Sequence, residues 1–249
     1  MKTGIGLLLV LGLLGMGCST DDGATVEGAT VEGATVEIVG YWDQSWETFT
    51  PPVDANMAIA FTGEADVDQA LADSAKLIDR MVGEKYLGLG GGDETGGWTA
   101  ARIDAVVQDL DAGKLADYVG VAFDVEVCDE EGLADDFAEA FAAAKRQRLG
   151  VLVTISHSEP YGCKDTTTLM KSFLDSAVID YLSPQLYTSG SETENDYTAV
   201  GTPWSAYADT QAAVVPSIVR ASMYADAQTY FQEQGVTLGG FVAWRHDAE

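Results

Sequence analysis

The chain has 249 residues, of which 40 are Asp or Glu and 13 are Lys or Arg, so its formal net charge is −27. This charge argues against nucleic acid, phosphate-rich ligands and anionic membrane surfaces as partners, because each would be repelled, and it permits a neutral or cationic polymer. The length suits one large domain. Only two histidines occur, and no Cys/His spacing for zinc is present, so neither a metal nor a cofactor is predicted.

The amino terminus has the layout of an export signal. Lys2 precedes an apolar run over residues 5–14, which is too short for a membrane span, and small residues lead to Cys18. The tetrapeptide Gly15-Met16-Gly17-Cys18 resembles the lipobox of bacterial lipoproteins. It implies a signal peptide at residues 1–17, a lipid on Cys18 as the one membrane contact, and an exported protein at the outer membrane or cell surface, or released from the cell. A plain signal peptide or a membrane anchor is the alternative.

A repeat follows, in which Gly-Ala-Thr-Val-Glu occurs three times from Gly23 to Glu37. Such a short, acidic and glycine-punctuated repeat cannot bury a face of its own. Residues 18–36 are therefore predicted to be a flexible tether, and residues 37–249 the folded domain.

Within that domain, apolar and β-branched runs alternate with segments of helical period, which is typical of a parallel sheet with helices between its strands. The predicted strands cover residues 37–42, 56–62, 85–90, 118–126, 150–156, 179–187, 212–218 and 238–244. The predicted helices cover residues 67–81, 103–110, 133–144, 166–177, 204–210 and 221–234.

Residues 43–55 contain Pro51-Pro52 and lack a helical period, so a loop is expected in place of the first helix. The sequence thus predicts an α/β fold, a single compact (β/α)₈ TIM barrel, and a monomer is expected.

The fourth predicted strand ends in two acids. Side chains alternate along a strand, so Asp124 and Glu126 share a face with the small residues Gly120 and Ala122. They lie about 6 to 7 Å apart along the chain, close enough for one carboxyl group to raise the pKa of the other. The simpler interpretation is a strand that ends in solvated acids.

Other predicted strands also end in residues suited to a site at the carboxyl end of a barrel, where such folds carry their chemistry. Strand one ends in Tyr41-Trp42-Asp43-Gln44, strand three in a glycine run without the order of a dinucleotide site, strand six in Gln185-Leu186-Tyr187 and strand eight in Trp244.

Together these strand ends resemble the family 18 glycoside hydrolases, which include chitinases and endo-β-N-acetylglucosaminidases, and in particular the small plant-type barrels. The family signature Asp-Gly-x-Asp-x-Asp-x-Glu is similar to residues 119–126, with the Gly, the last Asp and the Glu matched. The strand-one, Gln-x-Tyr and closing Trp positions are similar as well.

The resemblance implies cleavage of β-1,4-linked N-acetylglucosamine-containing oligo- or polysaccharide by a substrate-assisted retaining mechanism. Catalysis would fall to Glu126 as general acid, with Asp124 and Tyr187 holding the acetamido group. Substrate binding would fall to Tyr41, Gln185 and Trp244.

Two departures keep an alternative open. Ala122 and Val119 stand where the family signature has aspartates, so a non-catalytic, chitinase-like carbohydrate-binding surface lipoprotein is the second hypothesis. In the predicted barrel Cys128 and Cys163 follow adjacent strands at the same end, which predicts a disulfide at the rim of the site.

A third hypothesis takes Asp124, Glu126, His157 and His246 as a metal site for hydrolytic chemistry. Neither histidine lies in a recognised ligand motif.

Overall fold

The strands of this protein close into a parallel barrel with helices outside it, as a computed structural model shows for residues 36–47 and 50–245. The described strands are β1 Ile38–Gln44, β2 Met57–Phe61, β3 Glu84–Gly90, β4 Gly120–Val125, β5 Gly150–Ser156, β6 Tyr181–Gln185, β7 Ala213–Val214, β8 Ser217–Ile218 and β9 Gly240–Ala243. The helices are α1 Val67–Ser74, α2 Ala100–Asp111, α3 Ala134–Arg146, α4 Thr166–Leu174 and α5 Tyr224–Glu233. Short 3₁₀ helices cover Trp204–Asp209 and Ala221–Met223.

Every strand pairs in parallel with its neighbours, and the barrel closes where β1 pairs with β9 and β5 with β6. The predicted (β/α)₈ TIM barrel is therefore confirmed. No helix is present among the described residues between β1 and β2, where a loop was predicted, and none of the described helices is long and apolar enough to cross a membrane.

The seventh predicted strand differs from the prediction, since it is split into β7 and β8. Pro216 interrupts the run and has no N–H group to give to a neighbouring strand. The ladder continues around it, because the Val215 N–H group donates to the Leu182 carbonyl and the Pro216 carbonyl accepts from the Val242 N–H group. β7 and β8 together occupy one barrel position.

The helix predicted at residues 67–81 ends at Ser74, and the turns after it cover the outside of β1. There the Arg80 guanidinium pairs with the buried carboxylate of Asp43 and also reaches the carbonyl oxygen of Glu47 at 3.1 Å. The turns after α1 therefore cover the side of the barrel where the described residues form no helix between β1 and β2.

Buried side chains form two layers. Residues facing the helices form the larger outer core, while a smaller cluster fills the barrel interior. The interior cluster comprises Trp42, Met57, Ile59, Phe61, Tyr86, Ala122, Leu152, Val215 and Val242. It fills the barrel beneath the carboxyl end, here called the mouth, where polar and aromatic groups lie.

The predicted signal peptide, Cys18 and almost all of the tether lie outside the described residues. Cys128 and Cys163 are joined by a disulfide that connects the segments following β4 and β5 at the mouth.

Candidate active site

Asp124 and Glu126, here called the carboxyl pair, lie at the mouth end of β4, and one side-chain amide donates hydrogen bonds to both. The Gln185 side chain, at the end of β6, donates from Nε2 to Asp124 Oδ1 at 3.1 Å and to Glu126 Oε1 at 3.3 Å. Three predicted site residues from two strands that do not pair with each other are thus brought together across the barrel. The alternation of side chains along β4 and β6 accounts for this, because both strands turn the relevant face inward.

Burial dominates the electrostatics of the pair. Asp124 is 2% exposed, and burial followed by the charge of Glu126 raises its pKa well above the ordinary value. Burial also raises the pKa of Glu126, against the opposing effect of hydrogen bonds from Gln185 and Asp124. Two adjacent carboxyl groups, one buried and one half-buried, cannot both be ionised at low cost, so the pair retains a shared proton to higher pH than either group would alone. A retained proton is what a general acid requires.

The backbone around the pair is fixed by an indole and by glycines. Trp98, which is fully buried, donates from Nε1 to the Asp124 carbonyl at 2.8 Å. A side chain at Gly90, where φ is +95°, would come within 2.7 Å of that indole, and one at Gly92 would come within 3.2 Å of Glu126 Oε2. The glycine run after β3 therefore makes room for the site as well as for a turn.

An aromatic cluster forms the floor of the mouth next to the carboxyl pair. It consists of Trp42, Phe61, Tyr187 and Trp244, with the Trp244 ring centroid 5.8 Å from that of Tyr187 and 5.6 Å from that of Phe61. The Tyr187 hydroxyl lies 3.1 Å from the Ser217 hydroxyl, which also accepts a hydrogen bond from Trp42 Nε1 at 2.8 Å. Apolar ring faces beside acids suit the binding of a sugar, which has apolar and polar faces.

Tyr41 requires a correction. The sequence predicted that it would face the substrate, but its side chain is 1% exposed, packs in the outer core and accepts a hydrogen bond from the Val82 N–H group at 2.8 Å. Adjacent residues of β1 face opposite sides, and the neighbouring Trp42 takes the inward position. The prediction chose the wrong face because both residues are large and aromatic.

His157 lies beside the site in a separate pair. Its backbone has φ of +50°, and its Nε2 atom is 3.1 Å from Asp196 Oδ2 and 3.3 Å from the Thr188 hydroxyl. His246 lies outside the described residues. Among the residues that are described, no group of three or more His, Cys, Asp or Glu side chains could hold a metal ion.

Sequence reasoning missed Trp42, Trp98 and Ser217. The glycine run was a partial signal for Trp98, since glycines without a nucleotide motif suggest that something approaches the backbone closely. Trp42 and Ser217 carried no comparable signal, because their roles depend on contacts between β1, β6 and β8.

No protein-family model matches the chain, and no curated protein matches it. Its fold is similar to that in a crystal structure of a chitinase from Chromobacterium violaceum ATCC 12472, with a TM-score of 0.46 and 16% identity over 74% of this chain and 68% of that one. It is also similar to the spore cortex-lytic enzyme SleL of Bacillus megaterium QM B1551, with a TM-score of 0.42 and 10% identity. That match covers 73% of this chain and 50% of the enzyme.

Proposed function

We propose that this protein is a glycoside hydrolase that cleaves β-1,4-linked N-acetylglucosamine-containing polysaccharide by a substrate-assisted, retaining mechanism. The observation that carries the proposal is the carboxyl pair of buried Asp124 and half-buried Glu126, bridged by Gln185 at the mouth of the barrel. A glycosidase ordinarily needs an acid and a separate nucleophile, whereas substrate assistance needs a single acid beside a group that orients the substrate's own nucleophile.

In the first step, Glu126 gives its proton to the glycosidic oxygen as the bond from that oxygen to the anomeric carbon breaks. The acetamido carbonyl oxygen of the same sugar attacks the anomeric carbon and forms an oxazolinium ring. Asp124, as the anion, accepts a hydrogen bond from the acetamido N–H group and stabilises the positive charge on the ring. The proton shared by the pair in the free protein therefore resides on Glu126 at this stage.

In the second step, a water molecule attacks the anomeric carbon from the face that the leaving sugar vacated. Glu126, now a carboxylate, takes a proton from that water, and the oxazolinium ring opens to restore the N-acetyl group. The two inversions give a product with the configuration of the substrate, and Glu126 regains its starting proton.

The remaining predicted residues bind the sugar. The Tyr187 hydroxyl exchanges its contact with Ser217 for one with the acetamido oxygen, and Gln185 keeps both carboxyl groups in place. Trp244 offers its ring to the apolar face of the sugar. Tyr41 is left out of this set, because it faces the outer core.

Hydrolysis of unmodified chito-oligosaccharides and release of an aryl reporter group from modified ones test the proposal, with Glu126→Gln compared against Glu131→Gln, which alters an exposed acid outside the pair. We expect Glu126→Gln to lower kcat/KM by about 10²–10⁴-fold on unactivated oligosaccharides, the usual contribution of a general acid. The loss should be smaller with an aryl leaving group, which needs less protonation. Glu131→Gln should retain full activity.

Chito-oligosaccharide binding without turnover, in both the wild type and Glu126→Gln, would instead establish the carbohydrate-binding hypothesis, which the alanine at position 122 keeps open. Absence of both binding and turnover would refute the N-acetylglucosamine specificity. The predicted lipid on Cys18 would hold the domain at the cell surface near a polymeric substrate, and mass spectrometry of the mature amino terminus checks it.

A further inference from the structure

Two hydroxyl groups inside the barrel lack a hydrogen-bond partner among the residues that the structure describes. They belong to Thr154 on β5 and Ser183 on β6, and both residues are fully buried. Leaving a buried hydroxyl without a partner costs its desolvation free energy, so such groups are ordinarily paired with protein or with an internal water molecule. The position of these hydroxyl groups in the barrel indicates their role.

The two residues lie in one row with Asp124. In the parallel register, Asp124 is opposite Thr154, and Thr154 is opposite Ser183. In-register neighbours on adjacent strands are about 5 Å apart and point to the same side. Since Ala122 and Leu152, two residues earlier on β4 and β5, belong to the interior cluster, this row also faces the interior.

The row lies between an apolar layer and the side chains of Gln185 and Glu126. Ala122 and Leu152 lie on its amino side, and Gln185 and Glu126 lie on its mouth side. On β4, the inward residues before Asp124 are Gly120 and Ala122, so no long side chain from that strand lies beneath the carboxyl group. Three oxygen-bearing side chains in one row provide the two to four polar partners that an internal water needs.

We propose that Thr154 and Ser183 hold an internal water molecule that hydrogen-bonds to the Asp124 carboxyl group, and that this water supports Asp124 as an anion whenever the proton of the pair is on Glu126. The role in turnover rests on the proposed function, while the water site itself does not.

The hydrogen-bonding capacity of the hydroxyl groups and the water fits a proton that moves between Asp124 and Glu126. Asp124 accepts from Gln185, whose amide is shared with Glu126, so an Asp124 anion is stabilised by a further donor. Hydroxyl groups and water can each donate or accept, and they reorient by rotation. The water donates to Asp124 when that group is charged and accepts from it when it is protonated. Thr154 and Ser183 are therefore positioning residues that act through Asp124.

Other titratable groups face the pair and would contribute to any pH dependence. Besides the two carboxyl groups on β4, they are Asp93 after β3, His157 and Tyr161 after β5, and Tyr187 after β6. None is altered by substitutions at Thr154 or Ser183, so a change seen in those variants reports on the hydroxyl groups.

The test removes the hydroxyls while keeping the shape, using full-length Thr154→Val, Ser183→Ala and the double variant, with Thr154→Ser as the variant that retains a hydroxyl. Carboxyl ¹³C NMR of Asp-labelled protein follows the titration of Asp124, and the signal that disappears in Asp124→Asn assigns it. We expect the pKa of Asp124 to rise by about one pH unit in the double variant, the equivalent of one lost hydrogen bond, and to stay near the wild-type value in Thr154→Ser.

In activity assays the acidic limb of the kcat/KM profile should move to higher pH by the same amount, with activity recovering above it. A merely structural role would lower thermal stability and leave that limb in place. An unchanged Asp124 titration in the double variant, or a high-resolution crystal structure with no water between the three oxygens, would overturn the proposal. If the wild type lacks turnover, the proposed function fails, and the NMR titration still decides on the water site.

Discussion

At the amino end of the barrel, Tyr86 and Tyr181 meet edge to face with ring centroids 6.5 Å apart, above glycines at the first positions of β4 and β5. At the mouth, the same strands bury Asp124 and the hydroxyl groups of Thr154 and Ser183, and Glu126 is half-buried just after β4. The closed end gains stability from packed apolar surface, whereas the mouth buries groups that resist desolvation. The packed apolar side chains and the polar candidate site therefore lie at opposite ends of the same strands, as is general for this fold.

The mouth has less packed apolar surface than the amino end, so its stability should depend on the disulfide between Cys128 and Cys163. Replacing Cys128 and Cys163 by Ser should lower the free energy of unfolding by about 3–4 kcal/mol, because the disulfide spans 35 residues and restricts the unfolded chain. Urea unfolding of the oxidised wild type and the double variant measures the difference. A reductant should lower the midpoint of the wild type alone, and equal midpoints before reduction would contradict the expectation.

The closed end should be sensitive to one added methyl group. A Cβ at Gly120 would lie 2.1 Å from the Tyr86 ring, so Gly120→Ala should cost about 2–3 kcal/mol through overpacking. Thermal or urea unfolding checks the value. The double variant with Tyr86→Leu is the control, because the three nearest atoms to the added group all belong to that ring. A double variant no more stable than Gly120→Ala would rule out this contact as the cause.

At the mouth, removal of a charge should increase stability. The raised pKa of Asp124 means that the folded state keeps a proton which the unfolded chain releases above about pH 4. Stability contributed by this group is therefore present below the unfolded pKa and is lost as pH rises through the folded pKa. Asp124→Asn should gain about 1–2 kcal/mol at pH 8 and nothing at pH 3.5, while losing activity.

Asp43→Asn is the matched control for that gain. Asp43 is 2% exposed, as Asp124 is, but it pairs with Arg80 instead of another acid. The same substitution should therefore destabilise the protein at pH 8, since it removes the partner of a cation. Chemical denaturation of both variants at the two pH values decides the matter, and changes of the same sign at pH 8 would contradict the distinction.

The smallest effect concerns the loop that follows β6. Although burial opposes it, hydrogen bonds from the backbone N–H groups of Ser189 and its neighbours lower the pKa of Glu192 to about 2. Hydrogen bonds from the Thr198 hydroxyl and amide lower the pKa of Asp196 to about 2. This stabilisation is present above the unfolded pKa near 4 and is lost as pH falls towards 2.

Because both groups are only partly buried and solvent screens them, the loss should stay below about 1 kcal/mol. Gly190 of this loop packs on the Trp244 indole, so amide hydrogen exchange of residues 188–196 and tryptophan fluorescence report the loosening. Glu192→Gln should show part of it already at pH 6. An exchange rate independent of pH, after correction for intrinsic chemistry, would contradict the expectation.

Much of the fold followed from local pattern. The alternation of apolar runs and helical segments indicated the order of elements. A parallel strand is buried on both faces and appears as a continuous apolar run, whereas a helix is buried on one face and shows apolar residues at helical spacing. The inward face of β4 was also predictable, since small residues and acids share one side and large apolar residues the other. In β1 this asymmetry is missing, and Tyr41 was assigned to the wrong side.

By itself, then, the sequence determined the barrel and the two acids at the end of β4. It also determined that Gln185, Tyr187 and Trp244 lie at the ends of the sixth and eighth predicted strands. Only the tertiary structure decided that Gln185 bridges both acids, that Trp98 holds the Asp124 carbonyl, and that Thr154 and Ser183 lie in one row with Asp124. The physical reason is the difference between local and distant contacts. Periodicity records which side of its own element a residue occupies, whereas a hydrogen bond between β4 and β6 depends on the closure and register of the whole barrel.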